Sequence, residues 1–418
     1  MRLLMSLPLR QRVKMMKILL VSHTCMSQTM GQPKARYLAE FSDIDLTVLV
    51  PDTMLAYGKW VTAEEPVDAP FRYVVGKTRW RNVMKQWYLQ HYADTLSSLL
   101  AELQPDVVDI WEEPWGLTCA QAVMLTRRLV PSAKIIVETE QNIYKRLPQP
   151  FLTFQNYTLK RSDFCVARNS EAVEVLRRKG YKGPCAVVPN AADIDMFRPA
   201  ESGEKAAVRA SREWAAEEDF LIGYVGRLVP EKGVADILAA LAKLPENAKL
   251  VFVGSGPSRH DLELAAEALQ VSHRVTFAGS MPLPELPSAM NALDVLVLPS
   301  HTTPRWKEQF GRVLIEAGAC AVPSIGSDSG AIPDVIADGG LIFPEGDATA
   351  LAQRIEVMMN NPERRAEYGR VAHQRAQQYF GWNNVAGSMR DVYMRVLTGD
   401  MKPGEVAHHY HTQEQPCV

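Results

Sequence analysis

Apolar residues along this chain fall into short continuous runs, separated by longer stretches in which apolar positions recur at helical spacing. In the first half the runs are KILLVS from Lys17 to Ser22, LTVLVP (46–51), DVVDIW (106–111), KIIVET (134–139), FCVAR (164–168) and AVVPN (186–190). Helical patterns cover 122–130 and 171–180. The second half repeats the alternation with FLIGYVG (220–226), KLVFVGSG (249–256), RVTFAG (274–279), DVLVLPS (294–300) and VPSIGSDSG (322–330), and with helices expected over 234–244, 259–269, 311–319 and 348–360. Continuous rather than alternating apolar strands are those of a parallel sheet covered on both faces. Two such series predict an α/β chain of two doubly wound parallel sheets, each binding ligands at the carboxyl ends of its strands.

A length of 418 residues suits two cores better than one. The boundary is expected in 197–219, where Pro199 and the run ESGEK interrupt the pattern. This gives an N-terminal domain over 1–198 and a second over 199–380. An amphipathic helix follows over 381–397, then a polar, flexible tail over 398–418 that carries a His-Tyr-His cluster. The opening MRLLMSLPLRQRVKMMKILLVSHT reads as a leader before the first strand, with Met15 or Met16 as an alternative start. Its apolar run is short and has no small-residue cleavage site after it, unlike a signal peptide. No run is long enough to cross a bilayer.

Charge is nearly balanced, 46 basic against 48 acidic residues, which argues against nucleic acid as the main partner. Six scattered cysteines without a C-x-x-C pair suggest neither a disulfide framework nor a zinc site, and a cytoplasmic location is expected.

Two segments carry candidate chemistry. GRLVPEKG (226–233) follows the strand FLIGYV, so that Gly226 turns the backbone and Arg227 and Lys232 lie beside a helix start at Val234. Two cations at a positive helix end suit a diphosphate; the plain alternative is a pair of solvated surface cations. EQFGRVLIE (308–316) follows another buried strand and opens a helix near Gly311, with amides of Phe310, Gly311 and Arg312 at its start. Acids beside an anion site, Glu308 and Glu316, make sense where vicinal hydroxyls donate to them, as on a sugar and a ribose.

The segments GRLVPEKG, FVGSGP, FAGSM, LPS…EQFGRVLIEAGA and SDSGAIPDVI, in this order over 190–380, resemble the donor domain of glycosyltransferase family 4. The chain is similar to a bacterial subset associated with polysaccharide assembly. That resemblance implies the GT-B fold, two Rossmann-like domains facing a central cleft. It also implies a hexosyltransferase that uses a nucleotide diphosphate sugar as co-substrate, retains anomeric configuration, and needs neither cofactor nor metal. Arg227 and Lys232 would bind the pyrophosphate, Glu308 the transferred sugar and Glu316 the ribose. The backbone from Phe310 through Gly311 and Arg312 to Val313 would line the phosphates, and Ser280 and Met281 would lie near the base. The helix from Trp382 would pack back on the first domain.

The first half departs from the family pattern. One glycine, Gly31, followed by Gln32, stands where a glycine pair is usual, and Gln141 stands where many members have histidine. Gly31, Gln32, Glu113, Gln141 and Asn142 are the expected acceptor-side residues, with Glu112 beside Glu113. The acceptor would be a glycan, a lipid-linked sugar or a small molecule. Peripheral membrane contact through basic and aromatic residues at 31–36, and through an amphipathic helix over 72–92, is a further expectation. The rival readings are a nucleotide-sugar epimerase or phosphorylase of similar build, and a sugar-binding relative without catalysis. A nicotinamide dehydrogenase lacks its glycine fingerprint here.

Overall fold

The computed structural model describes residues 15–56, 59–80, 87–201 and 203–410, and the expected leader over 1–14 lies outside them. Contacts divide the chain into two compact units, one built on Met1–Glu138, Leu147–Phe164 and Arg390–Met401, the other on Thr139–Arg146, Cys165–Met389 and Lys402–Val418.

The first unit holds strands β1 (Met16–Ser22), β2 (Ile44–Pro51), β3 (Thr53–Ala56), β4 (Lys59–Thr62), β5 (Arg72–Gly76), β6 (Thr78–Arg79), β7 (His91–Tyr92), β8 (Val107–Trp111) and β9 (Lys134–Thr139). Five of them run parallel in the order β9-β8-β1-β2-β5, while β3–β4 and β6–β7 pair antiparallel. In β1 every residue but Lys17 is buried, as a central strand covered on both faces requires.

The second unit holds β10 (Phe164–Ala167), β11 (Cys185–Val187), β12 (Phe220–Val225), β13 (Ala248–Val253), β14 (Val275–Gly279), β15 (Val295–Leu298), β16 (Ser324–Ser327), β17 (Gly340–Phe343) and β18 (Val406–His408). Six of these form a parallel sheet ordered β14-β13-β12-β15-β16-β17; β18, β11 and β10 are neighbours in that order. From β12 the chain adds strands on one side, then returns to add β15, β16 and β17 on the other. The order therefore reverses between β12 and β15, which makes that gap the switch point where such sheets bind ligands.

Several expectations change. The segment 72–92 is not one helix: its described parts are β5, β6, a short 3-10 turn at Trp87–Leu89 and β7, and 81–86 lie outside the described residues. Tyr73, Val74 and Val75 pair in register with Val48, Leu49 and Val50, so a neighbouring strand overrides the helical pattern. Lys34, read as a cation available to a surface, is 1% exposed. The connector carries a helix, Glu204–Ser211, whose Arg209 is buried against Asp294 at 2.6 Å. The stretch 398–410, expected as a polar tail, contains β18 and buries Tyr410 completely, edge-on to Phe310. Among the described residues no helix is long and apolar enough to cross a membrane.

Lys34 is buried because it serves the first unit's core. Its ammonium pairs with Glu138, lies 3.7 Å from Asp109, and sits over the Trp111 ring. The Tyr393 hydroxyl, on the helix Trp382–Thr398, donates to Asp109 at 2.7 Å, and Arg390 grips Asp43 at 2.6 Å. Burial first, then the neighbouring Glu138 charge, pushes the Asp109 carboxyl up to about 7, against the pull of Lys34 and the Tyr393 hydroxyl. An acid with a raised folded-state pKa keeps its proton in the native protein after the unfolded chain has lost it. Its contribution to stability is therefore present below about pH 4 and declines as the pH rises towards 7. Asp109→Asn should flatten that decline, measured by urea unfolding at a series of pH values; parallel curves for variant and parent would contradict the assignment.

Candidate functional site

The β12/β15 switch point is built from two strand ends. β12 is followed by Gly226, whose φ of +155° lies in the range that favours glycine, and Gly254 crosses so close that a Cβ there would stand 1.9 Å from the Gly226 carbonyl. This approach leads the chain into the exposed Arg227, whose carbonyl accepts from the Tyr224 hydroxyl at 2.7 Å. Lys232 ends a 3-10 turn, Pro230–Lys232, and Gly233, in left-handed conformation, opens the helix Val234–Leu241.

On the other side, β15 runs into Pro299, Ser300 and the loop that carries Glu308. Glu308 is 7% exposed. Its Oε2 takes the Lys232 ammonium at 2.5 Å and the Ser300 hydroxyl at 2.9 Å. The Lys232 ammonium also lies 4.9 Å from the centre of the Trp306 ring. Gly311, with φ +81°, turns the chain into the helix Arg312–Ala319. Inside that helix Glu316 is buried, and Arg312 reaches it at 3.3 Å. Burial raises the Glu316 carboxyl above the ordinary range, with Arg312 opposing.

The two motifs thus converge at Lys232 and Glu308. Phe310 is 2% exposed, with its ring in a cluster with Phe380 and Tyr410, and Val313 is half-buried. Ser280 is exposed and donates to Ser255, while the Met281 sulfur accepts from Arg212.

The expected acceptor-side residues are dispersed. In the first unit Gly31 packs against the Thr24 backbone, where a Cβ would approach to 2.5 Å. Gln32 is buried and donates to the Glu64 carbonyl at 2.7 Å. Glu113 is half-buried, its carbonyl closing a turn with Gly116, while Glu112 binds both the amide and Nδ1 of His23 at 2.7 Å. In the second unit Gln141 accepts from Lys179, and Asn142 donates to the Glu308 carbonyl at 2.8 Å. Asn142 is therefore bonded to the loop that carries Glu308. Sequence reasoning does not single out Ser300, Trp306, Glu171 or His23. For Ser300, a hydroxyl at the end of a buried strand is the available signal; the others follow from tertiary contact alone.

Residues 209–375 match the family described as Glycosyl transferases group 1. The D-inositol 3-phosphate glycosyltransferase 2 of Catenulispora acidiphila is 30% identical over 302 residues, which are 68% of this chain and 67% of that protein. The chain belongs to the group 1 glycosyltransferases. Another member, the D-inositol 3-phosphate glycosyltransferase of Segniliparus rotundus, is 32% identical over 222 residues, 51% of this chain; the match spans about half of that relative, 47% of its length. The fold also matches the crystal structure of Anabaena Alr3699/HepE in complex with UDP, with a TM-score of 0.68 over 91% of this chain and 100% of that one, at 16% identity. This group 1 glycosyltransferase therefore has the α/β GT-B fold, with two Rossmann-like domains.

Proposed function

We propose that the chain transfers a hexose-type sugar from a nucleoside diphosphate to a hydroxyl of a glycan, lipid-linked or small-molecule acceptor, as a retaining family 4 enzyme that needs no metal. In this reading residues 199–380 hold the donor, residues 1–198 the acceptor, and the helix over 381–397 returns to the acceptor domain. The observation that carries it is the buried Glu308 carboxylate paired with Lys232 and Ser300 at the β12/β15 switch point. Matched solved structures are described as complexes with UDP and with UDP-glucose, which supports a nucleotide sugar here.

Each residue has a distinct task. Arg227 and Lys232 stabilise the diphosphate as it leaves, a preorganised electrostatic role that requires no reorganisation during reaction. Glu308 accepts a hydroxyl of the transferred sugar, and Glu316 accepts the ribose hydroxyls. Bond breaking sends the electron pair of the anomeric C–O bond to the diphosphate. The acceptor oxygen forms its bond on the same face, and its proton passes to the departing phosphate.

The test is a thermal-shift and calorimetry panel of UDP, GDP, ADP and their sugars, in EDTA. A ligand at about a hundred times its Kd should add about 2.7 kcal/mol of stability. We expect one nucleotide family to raise the Tm, and Arg227→Ala or Glu316→Ala to abolish the shift. Stabilisation that needs added divalent metal would refute metal independence, and silence across the panel would refute the donor site. Product analysis separates transfer from epimerisation, since an epimerase releases an isomeric donor and glycosylates nothing.

A further inference from the structure

The loop that carries Glu308 is held at five points by residues that precede the six-stranded sheet in the chain, all within the second unit. Lys145 donates to the Arg305 carbonyl at 2.9 Å, and Glu171 pairs with Lys307 at 2.6 Å. Asn142 donates to the Glu308 carbonyl at 2.8 Å, and Asn169 to the Gln309 carbonyl at 2.5 Å. In return the Gln309 amide donates to the Glu140 carbonyl at 3.1 Å. Trp306, between these points, is closed into its own turn: Thr303 accepts from its N–H at 2.9 Å and donates a backbone N–H to its carbonyl at 2.7 Å.

Asn142 is central to this arrangement. It is 7% exposed, and its side-chain nitrogen donates both to Glu308 O and to Glu171 Oε2, the latter at 3.2 Å. Glu171 thereby links Asn142 to Lys307. The Glu308 carbonyl also accepts from the Ala331 amide at 3.2 Å, so its backbone is fixed from two sides while Lys232 and Ser300 fix its carboxylate. Asn169 is used twice as well, capping the helix Ser170–Arg178 through its oxygen while its nitrogen holds Gln309. A surface loop carrying binding chemistry is ordinarily among the least constrained parts of a fold. This one is bonded at four of five consecutive residues.

We propose that residues 140–145, with Asn169 and Glu171, form a clamp on this loop, and that Asn142 is a positioning residue for the Glu308 carboxylate. The proposal rests on the reading of Glu308 as the sugar-contacting carboxylate. Misplacing such a group by about 1 Å costs up to roughly a hundredfold in rate, which is reason to tether the loop rather than leave it to solvent.

Asn142→Asp tests it, because the shape is kept while the donor nitrogen becomes an oxygen facing two acceptors. Hydrogen exchange of amides within 303–312 should accelerate at least about fivefold in the variant without ligand. With the nucleotide sugar selected by the panel above, kcat should fall about tenfold or more, while the Kd for the nucleoside diphosphate stays within about twofold. In Asn142→Asp/Glu171→Gln the amide introduced at position 171 can donate to the carboxylate introduced at position 142, and part of the exchange protection should return. Unchanged exchange in Asn142→Asp overturns the clamp, whatever the activity. Faster exchange with kcat intact overturns the positioning role, as does a loss of kcat matched by equal loss of nucleotide affinity. Should the parent protein bind no nucleotide, the proposed function fails while exchange still decides the clamp.

Discussion

Glu308→Gln should lower sugar transfer by about two to three orders of magnitude while leaving affinity for the nucleoside diphosphate within about threefold. The substitution keeps the volume and removes the charge. Both hydrogen bonds described for the carboxylate end on Oε2, from Lys232 and Ser300, so Oε1 remains to accept a sugar hydroxyl. An amide in that place presents a donor to one of these partners or a weaker acceptor to the sugar. Arg227 and Lys232, proposed to hold the diphosphate, remain, and nucleotide binding should survive. Lys307→Ala is the comparison, because Lys307 pairs with Glu171 in the clamp and not with the Glu308 carboxylate, and it should lose far less activity than Glu308→Gln. Steady-state kinetics and calorimetry on the two variants decide the matter. Equal activity in both would remove Glu308 from the mechanism.

The second large effect is on stability. Lys34→Met should destabilise the protein by about 3–5 kcal/mol, because it leaves buried carboxylate without its cation. Glu138 and Asp109 are 1% and 0% exposed, and Lys34 is the ammonium that meets both. Lys34→Met/Glu138→Gln should recover part of the loss, since it removes the charge of the nearer carboxylate and leaves only Asp109, whose carboxyl already resists ionisation, without the ammonium. Urea unfolding of the two variants and the parent makes the comparison. A loss below about 1 kcal/mol in the single variant would mean that the carboxylates stay protonated and that the ion pair is not what holds Lys34 inside.

Much of this is readable from residue order. Runs such as KILLVS and FLIGYV become central parallel strands because a doubly covered sheet is what buries four or more consecutive apolar residues. Gly226 after one strand and Gly311 at a helix start mark the two loops that carry Arg227 and Glu308 before any contact is known. What is not legible has a common cause. Edge strands such as Gly340–Phe343 and Val406–His408 are short and only partly buried, so they leave a weak apolar signature. β5 looks helical in sequence because cations and aromatics alternate irregularly along 72–92. Lys34 looks like a surface cation, because a lysine at the core is explained only by the carboxylates and the tryptophan around it, which come from distant positions. The contact of Asn142 with the Glu308 carbonyl is illegible for the same reason: the two residues lie 166 positions apart.

The late position of Tyr410 has a consequence for synthesis on the ribosome. Its ring lies edge-on to Phe310, and β18 just before it pairs with β11, so residues made far apart in time complete one core. The first unit is likewise finished by Arg390 and Tyr393 meeting Asp43 and Asp109. Chains emerge N-terminus first at roughly 5–20 residues per second. The nascent protein therefore spends many seconds with its strands made but β11 unpaired on one side and Phe310 uncovered. During that interval its dependence on chaperones should be greatest, and a ribosome stalled shortly before Val406 should hold a chain whose Phe310 side is still open to proteases.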